Sequence, residues 1–244
     1  MSINFYGKTH IMYNKIKNIL LITVTLIIAT GCVSVQEPIP FKPFKNTEAS
    51  VGVMYVEPVP AETQYTGSIG LLDYAIIAGV NSSLDEYLKT LTFEDYPLLA
   101  SSVTDKLKEK GYNARLVETP ISLEIAKKID APKENVNKSD FKPVIQGEQM
   151  DYVVLIQKSA IGTTRSYYGP VPTSEPLAMT ALNVQMVELA TGNVMWYRNI
   201  RKVATIETPW DEPDNYPNMT NSIYTNFNQA MQEVLAELDQ LPIK

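Results

Sequence analysis

Histidine and cysteine are nearly absent from this chain of 244 residues, which contains one of each. His10 lies within the first 31 residues and Cys32 directly follows them, so the rest of the chain has neither an imidazole nor a thiol. Catalytic triads need a base that titrates near neutral pH, and protein zinc sites draw on His or Cys ligands. Residues 33–244 therefore supply neither kind of site, and they form no internal disulfide bond.

Positive charge is scarce as well. Residues 1–31 contain three lysines and no acid, which leaves 18 of the 21 basic side chains against all 27 acidic ones, a formal charge of −9 for residues 32–244. The longest basic clusters in that part are pairs, such as Lys127-Lys128 and Arg201-Lys202. Proteins that bind nucleic acid through its phosphates need clustered Lys and Arg. The sequence therefore predicts no nucleic-acid partner.

A short apolar run near the start of the chain indicates that the protein is exported. Residues 18–30 are mostly apolar and follow Lys15 and Lys17. The run is shorter than the roughly 20 apolar residues that a membrane-spanning helix needs, and it has the length of a signal-peptide core. These features predict a signal peptide at residues 1–31. A buried helix that ends in an inert cysteine is the alternative.

The end of this run resembles the lipobox of bacterial lipoproteins. Residues Ala29 to Cys32 read Ala-Thr-Gly-Cys. In that family the cysteine carries lipid and becomes the first residue of the mature protein, so the resemblance implies attachment to a membrane through Cys32. Val33, in place of an aspartate after the cysteine, implies the outer membrane, with the folded domain on its periplasmic side.

Three prolines, Pro38, Pro40 and Pro43, follow the cysteine closely. Proline supports neither the interior of a helix nor a central strand. Residues 32–48 are therefore predicted to be the lipidated cysteine and a semi-rigid tether, and residues 49–244 a single periplasmic domain. An extended strand packed on that domain is the alternative for the tether.

Hydrophobic periodicity predicts strands and helices in succession after residue 48, and hence an α/β fold. A final apolar stripe predicts an amphipathic C-terminal helix that docks on the sheet. The predicted strands are 49–56, 114–117, 152–156 and a bulged hairpin of 182–189 with 194–197. The predicted helices are 67–80, 95–110, 121–129 and one from Thr220. The predicted loops are 57–66, 130–149, 163–177 and 205–219.

The order of these elements, together with three short motifs, resembles a superfamily of bacterial envelope proteins. The motifs are Gly111-Tyr112, Asp151-Tyr-Val-Val-Leu155 and Leu189-Ala-Thr-Gly-Asn-Val-Met-Trp196. The superfamily includes the amino-terminal domain of the Tol translocation protein, the penicillin-binding-protein activator lipoproteins and the curli secretion lipoprotein, and the resemblance covers residues 49–56 and 95–241. It implies a mixed sheet flanked by helices, with no catalytic residue and no cofactor. It also implies action by binding other envelope proteins or, as in curli secretion, by assembling a pore, so a homo-oligomer stays open.

Two segments outside the common pattern are candidates for contact with a partner. Residues 67–80 contain one charged residue, Asp73, and predict either an exposed docking helix or a helix packed on the sheet with Asp73 at its edge. Residues 163–177 contain Arg165, Tyr167 and Tyr168, residue types that are enriched at the centres of interfaces. A hairpin tip that packs its tyrosines on its own strands is the alternative for this second segment.

The loop at 205–218 combines Trp210 with acidic residues. Trp210 is a candidate for contact with a partner or for stacking on a sugar ring of peptidoglycan. The acids could act in a glycosidase or hold a hard cation, but their spacing matches no calcium loop, so no metal is predicted. The predicted function is non-enzymatic binding of an envelope-assembly partner, and the alternatives are a secretion-pore subunit and a carboxylate-based cell-wall enzyme. The acids are Glu207, Asp211, Glu212 and Asp214.

Overall fold

A mixed β-sheet of seven strands, with helices packed on it, forms the centre of the molecule in the computed structural model. The structure describes residues 36–44, 48–122, 124, 127–128, 136–137, 139–141, 143, 145, 149–212 and 215–243. The strands in this part of the chain are β1 Ser50–Tyr55, β2 Glu62–Ser68, β3 Asn113–Leu116, β4 Lys127–Lys128, β5 Ser139–Asp140, β6 Tyr152–Tyr168, β7 Val171–Pro172, β8 Leu177–Glu188 and β9 Val194–Thr205. The helices are α1 Leu71–Val80, α2 Ser82–Lys89, α3 Asp95–Glu109 and α4 Pro217–Asp239. The predicted α/β fold, with its mixed sheet and C-terminal helix, is confirmed.

Strand β6 is the central strand of this sheet and pairs with β1, β2, β7 and β8. The strand order is β3-β1-β6-β8-β9. β1 runs parallel to β3 and to the first residues of β6, Tyr152–Ile156, whereas β2 runs parallel to its last residues, Gly162–Tyr168. β8 and β9 continue on the other side as antiparallel neighbours. β1 and β2 therefore share one side of β6 and leave a gap between them at residues 157–161.

A tyrosine from α3 reaches into this gap. The Tyr96 hydroxyl donates a hydrogen bond to the Ile156 carbonyl oxygen (3.0 Å) and accepts one from the Lys158 amide (2.9 Å). The Ile156 carbonyl oxygen also accepts a hydrogen bond from the Val56 amide (2.9 Å), so the hydroxyl takes the place of a neighbouring strand at the Lys158 amide. Burial raises the pKa of Tyr96, so the hydroxyl keeps the proton that it donates.

Helices α3 and α4 pack against the sheet because each has one continuous apolar stripe. Full burial of an aliphatic or aromatic side chain of this size contributes roughly 1.5–3 kcal/mol. Both helices confirm the predicted patterns, although α4 begins slightly before Thr220, with Pro217 in its first turn. The buried stripe residues include Leu99, Val103 and Leu107 of α3 and Ile223, Phe227, Val234 and Leu238 of α4.

Residues 57–66, predicted as a loop, contain the start of β2. Pro58 and Pro60 lie before the strand, and the chain from Glu62 onward pairs with β6. This pairing requires Gly162, whose φ is +127° and where a Cβ atom would lie 2.2 Å from the Glu62 carbonyl oxygen. The prediction was wrong because the prolines concealed the short, largely polar strand that follows them.

The helix predicted at 121–129 is also wrong. The Ile121 amide donates a hydrogen bond to the Tyr55 carbonyl oxygen (2.9 Å), and the Ile121 carbonyl oxygen accepts one from the Glu57 amide (3.0 Å). Further along, β4 pairs with β5 as a short antiparallel ladder. Backbone pairing of a buried isoleucine with the end of β1 outweighs the four-residue spacing that indicated a helix. Much of the predicted loop at 130–149 lies outside the described residues.

Strands β6, β8 and β9 extend well beyond their predicted ends. The predicted bulge is present between Met186 and Val187. A second irregularity, between Lys158 and Ala160, shifts the alternation of side chains in β6 by one residue. This shift breaks the regular apolar pattern just after Ile156, where the sequence signal for the strand also ends. The predicted loop at 163–177 therefore begins inside β6 and includes β7.

Part of the predicted tether is packed on the sheet. Ile39 and Tyr197 of β9 exchange two backbone hydrogen bonds of 3.1 Å, and the Phe44 ring stacks on Tyr152 with 4.0 Å between the ring centroids. For residues 39–44 the structure thus shows the packed, extended alternative. The predicted signal peptide and Cys32 lie outside the described residues. None of the helices described above combines the length and apolarity needed to cross a membrane.

Candidate interaction surface

The end of the sheet where β2 and β6 finish gathers aromatic rings around Arg165. The guanidinium carbon of Arg165 lies 5.0 Å from the centroid of the Trp210 ring and 5.9 Å from that of Tyr167. Its Nε donates a hydrogen bond to the Ser174 carbonyl oxygen (2.9 Å). Arg165 and Tyr167 share a face of β6 because alternate residues of a strand do so, and the loop between β9 and α4 adds Trp210. The structure thus brings together three of the four residues predicted to contact a partner.

The fourth residue, Tyr168, projects from the opposite face of the strand. Tyr167 is 4% exposed, contacts the Tyr65 ring with 5.7 Å between centroids, and accepts a hydrogen bond from the Asn81 side-chain amide (3.2 Å). Tyr168 is 74% exposed and pairs with the exposed Val171 of β7. The hairpin-tip alternative therefore describes Tyr167, and Tyr168 is free to meet another molecule. Contact of these residues with a partner stays a prediction.

Tyr65 of β2 connects the sheet to the first two helices. Its hydroxyl donates a hydrogen bond of 2.6 Å to Asp85 Oδ2 in α2, and its ring meets Tyr74 of α1 edge-on, with 5.6 Å between centroids. Burial raises the pKa of Tyr65, and the hydrogen bond to Asp85 raises it further. The hydroxyl therefore stays protonated and keeps donating to the carboxylate. Together with Asn81, this contact holds α1 against the end of the sheet.

Helix α1 turns an entirely apolar face to solvent. Within α1 only Ile77 is buried, and the Asp73 carboxylate accepts a hydrogen bond from the Gly70 amide (2.9 Å). At 100° per residue, the exposed positions other than Tyr74 fall on one half of the helix, where Leu71 is 92% exposed. Apolar helix faces are ordinarily covered, so the structure supports the exposed docking alternative for this segment. The residues of this face are Leu71, Leu72, Ala75, Ile76, Gly79 and Val80.

The hairpin that carries Tyr168 lies beside α1. The Gly169 amide donates a hydrogen bond to the Ser68 carbonyl oxygen (2.8 Å), and a Cβ atom at Gly169 would lie 3.9 Å from Asp73 Oδ2. Both parts therefore occupy one end of the domain. The exposed face of α1, together with Tyr168 and Val171, is named the apolar tip below. Contiguous apolar surfaces of several hundred Å² commonly mark sites where proteins bind other molecules.

The acidic loop residues considered for catalysis or metal binding are solvated where the structure describes them. Glu207, Asp211 and Glu212 are exposed, and Asp214 lies outside the described residues. In the part of the chain that the structure describes, no three His, Cys, Asp or Glu side chains lie together in a way that could hold a metal ion. The contacts at these positions therefore give no support to the hypothesis of a carboxylate-based enzyme or to that of a bound cation.

Sequence reasoning missed a buried lysine at the irregularity in β6. Lys158 is 2% exposed, and its Nζ lies 4.3 Å from the centroid of the Phe93 ring and 5.9 Å from that of Tyr96. Burial lowers the pKa of Lys158 from 10.5 to about 8. The only sequence signal was its place two residues after the apolar run of β6, which indicated the end of a strand rather than a buried charge.

Comparisons with known proteins find distant structural similarity only. No family model matches the chain, and no curated protein matches it. The PelC dodecamer from Paraburkholderia phytofirmans has a TM-score of 0.28 and 9% identity, over 80% of this chain and 96% of that one. The hypothetical protein CT253 from Chlamydia trachomatis has a TM-score of 0.34 and 11% identity, over 79% and 99%. The lipoprotein GNA1162 from Neisseria meningitidis has a TM-score of 0.23 and 14% identity, over 74% and 99%. The superfamily named from the sequence stays a prediction.

Proposed function

We propose that this protein is a non-enzymatic lipoprotein, attached through Cys32 to the periplasmic side of the outer membrane, that works by binding envelope proteins at the apolar tip. The lipobox-like end of the apolar run supports the location. The observation that carries the binding role is the face of α1, which is apolar throughout although one residue in five of the whole chain is charged, 20% in total. Exposing such a face to water costs free energy, and a bound protein that covers the face removes this cost.

The supports beneath the apolar tip favour binding. Tyr65 and Asp85 fix α2 against β2, and Asn81 fixes the end of α1 to Tyr167. A surface held in place before it binds loses little conformational entropy on association. Covering one fully exposed leucine contributes roughly 1.5–3 kcal/mol, so several side chains of this face together offset an association cost of about 4–15 kcal/mol.

The anchor is tested by labelling cells with radioactive palmitate. The wild-type protein should carry label and fractionate with the outer membrane, and the Cys32→Ser protein should carry none. An unlabelled wild-type protein in the soluble fraction would refute the anchor.

The binding role is tested by crosslinking intact cells and purifying the protein with whatever is attached. Leu72→Glu places a charge on the face of α1, so we expect the specific crosslinked species to disappear. Leu98→Glu is the matched control, because Leu98 is an exposed leucine on α3 (59%, against 74% for Leu72) outside the apolar tip. Equal losses in both variants, or no specific species with the wild-type protein, would contradict the proposal.

A further inference from the structure

We propose that the protein bound at α1 is a second copy of this chain, and that two α1 helices pair antiparallel about a twofold axis at Ala75. This inference rests on the proposed function, because it names the occupant of part of the apolar tip. Ala75 lies at the middle of α1, so an axis there sets the two helices fully against each other. Tyr168, Val171 and Trp210 remain available for a different envelope protein.

Gly79 supplies the first argument for this pairing. A Cβ atom at Gly79 would meet no described atom within 4 Å, and the residue has helical backbone geometry, so the fold of the domain gives no reason for a glycine there. Glycine inside a helix costs about 0.5–1 kcal/mol relative to alanine. Antiparallel pairing at Ala75 places Leu71 of one copy directly over Gly79 of the other, because each lies four residues from the axis. The missing side chain then provides the space that Leu71 fills.

The area of the face is the second argument. Four large side chains of this face are exposed by 45–92%. They amount to roughly 500 Å² on each copy, or about 1,000 Å² for the pair, which is the smallest area expected of a specific protein interface. The face therefore reaches the area that a weak, reversible pair needs. These residues are Leu71, Leu72, Ile76 and Val80.

Charge is the third argument, and it favours a second copy over a lipid surface as the partner of α1. About a twofold axis, the residues beside the axis lie near their own equivalents, so a favourable pair needs uncharged residues around Ala75. The exposed face of α1 meets this condition, since its one neighbouring charge, Asp73, is engaged with the Gly70 amide. Helices that lie on membranes carry Lys or Arg beside their apolar face, and α1 contains neither.

Disulfide trapping in intact cells tests the pairing. Ala75→Cys should give a dimer on a non-reducing gel that disappears with reductant, because the twofold axis brings the two sulfur atoms within bonding range. Leu98→Cys, on the exposed side of α3, is the matched control and should stay monomeric. Ala75→Cys combined with Gly79→Leu should lose the dimer, because the added side chain fills the space for Leu71. The Gly79→Leu domain should still fold, since the described residues leave that space open.

Three outcomes would overturn the pairing: no dimer with Ala75→Cys, equal dimer with Leu98→Cys, or binding to lipid vesicles that Leu72→Glu abolishes while Ala75→Cys stays monomeric. A dimer of the protein without any introduced cysteine has a different meaning. It would show that Cys32 is a free thiol and would overturn the lipid anchor. In that case Ala75→Cys is combined with Cys32→Ser, and the presence or absence of a dimer on the non-reducing gel tests the pairing.

Discussion

Replacing the buried Lys158 by methionine should make the domain more stable. Methionine has a similar length and keeps the contacts with Phe93 and Tyr96, but it carries no charge that must leave water. The pKa of Lys158 is lowered from 10.5 to about 8, and each pKa unit corresponds to about 1.4 kcal/mol. The charged lysine therefore costs about 3 kcal/mol at pH 7. Loss of its attraction to the Phe93 ring offsets part of this gain, by about 0.5–2 kcal/mol.

The gain should depend on pH in a direction that identifies its cause. Below about pH 8 the lysine is protonated in both the folded and the unfolded chain, so the whole cost is present. Between about pH 8 and 10.5 the folded chain releases the proton while the unfolded chain retains it, so the free energy of unfolding of the wild-type protein rises with pH. The advantage of Lys158→Met should therefore shrink across this interval, and above it only the difference between a neutral amine and a thioether remains.

Urea unfolding followed by tryptophan fluorescence, at several pH values from 7 to about 10.5, measures both effects. Lys89→Met, at an exposed position near the end of α2, is the control and should change stability by less than about 0.5 kcal/mol. A Lys158→Met protein that is less stable than the wild type at pH 7 would refute the reasoning. So would a stability difference that stays constant between pH 8 and 10.5.

Three further changes test other contacts, each by urea unfolding. Tyr96→Phe leaves the Ile156 carbonyl and the Lys158 amide without the hydroxyl and should cost about 1–3 kcal/mol; no loss would mean that water replaces it freely. Arg198→Met removes bonds to Glu237 (2.6 Å) and to the Ile39 carbonyl (3.0 Å), so it should cost about 1–2 kcal/mol and speed proteolysis near Ile39; unchanged cleavage would contradict the second part. Gly79→Ala, measured at a concentration where the protein is monomeric, should add about 0.5–1 kcal/mol, and a loss would show that the glycine is needed within the domain.

Elements whose side chains alone determine their structure were predictable from the sequence. α3 has an apolar stripe and a glycine just after its end, and α4 has a stripe that runs over its whole length, so both were found close to their true bounds. The helix wrongly expected at Ile121 shows the opposite case. Its structure depends on backbone pairing with residues more than sixty positions earlier, which no local spacing reveals.

The candidate site was only partly predictable, for a similar reason. The alternation of a strand separates Tyr167 from Tyr168, but the sequence does not show that the strand continues past the irregularity at Lys158. The apolar character of α1 was evident, whereas its exposure depends on where α2 and the β6–β7 hairpin hold it. Gly79 becomes informative only when the empty space beside it is known.

The Tyr96 hydroxyl makes a side chain of α3 part of the ladder of the sheet. Because β1 and β2 leave this stretch of β6 unpaired on their side, the protection of the Lys158 amide depends on a helix remaining docked. Hydrogen exchange at the Lys158 amide should therefore require the detachment of α3 from the domain, and its rate measures how often α3 detaches.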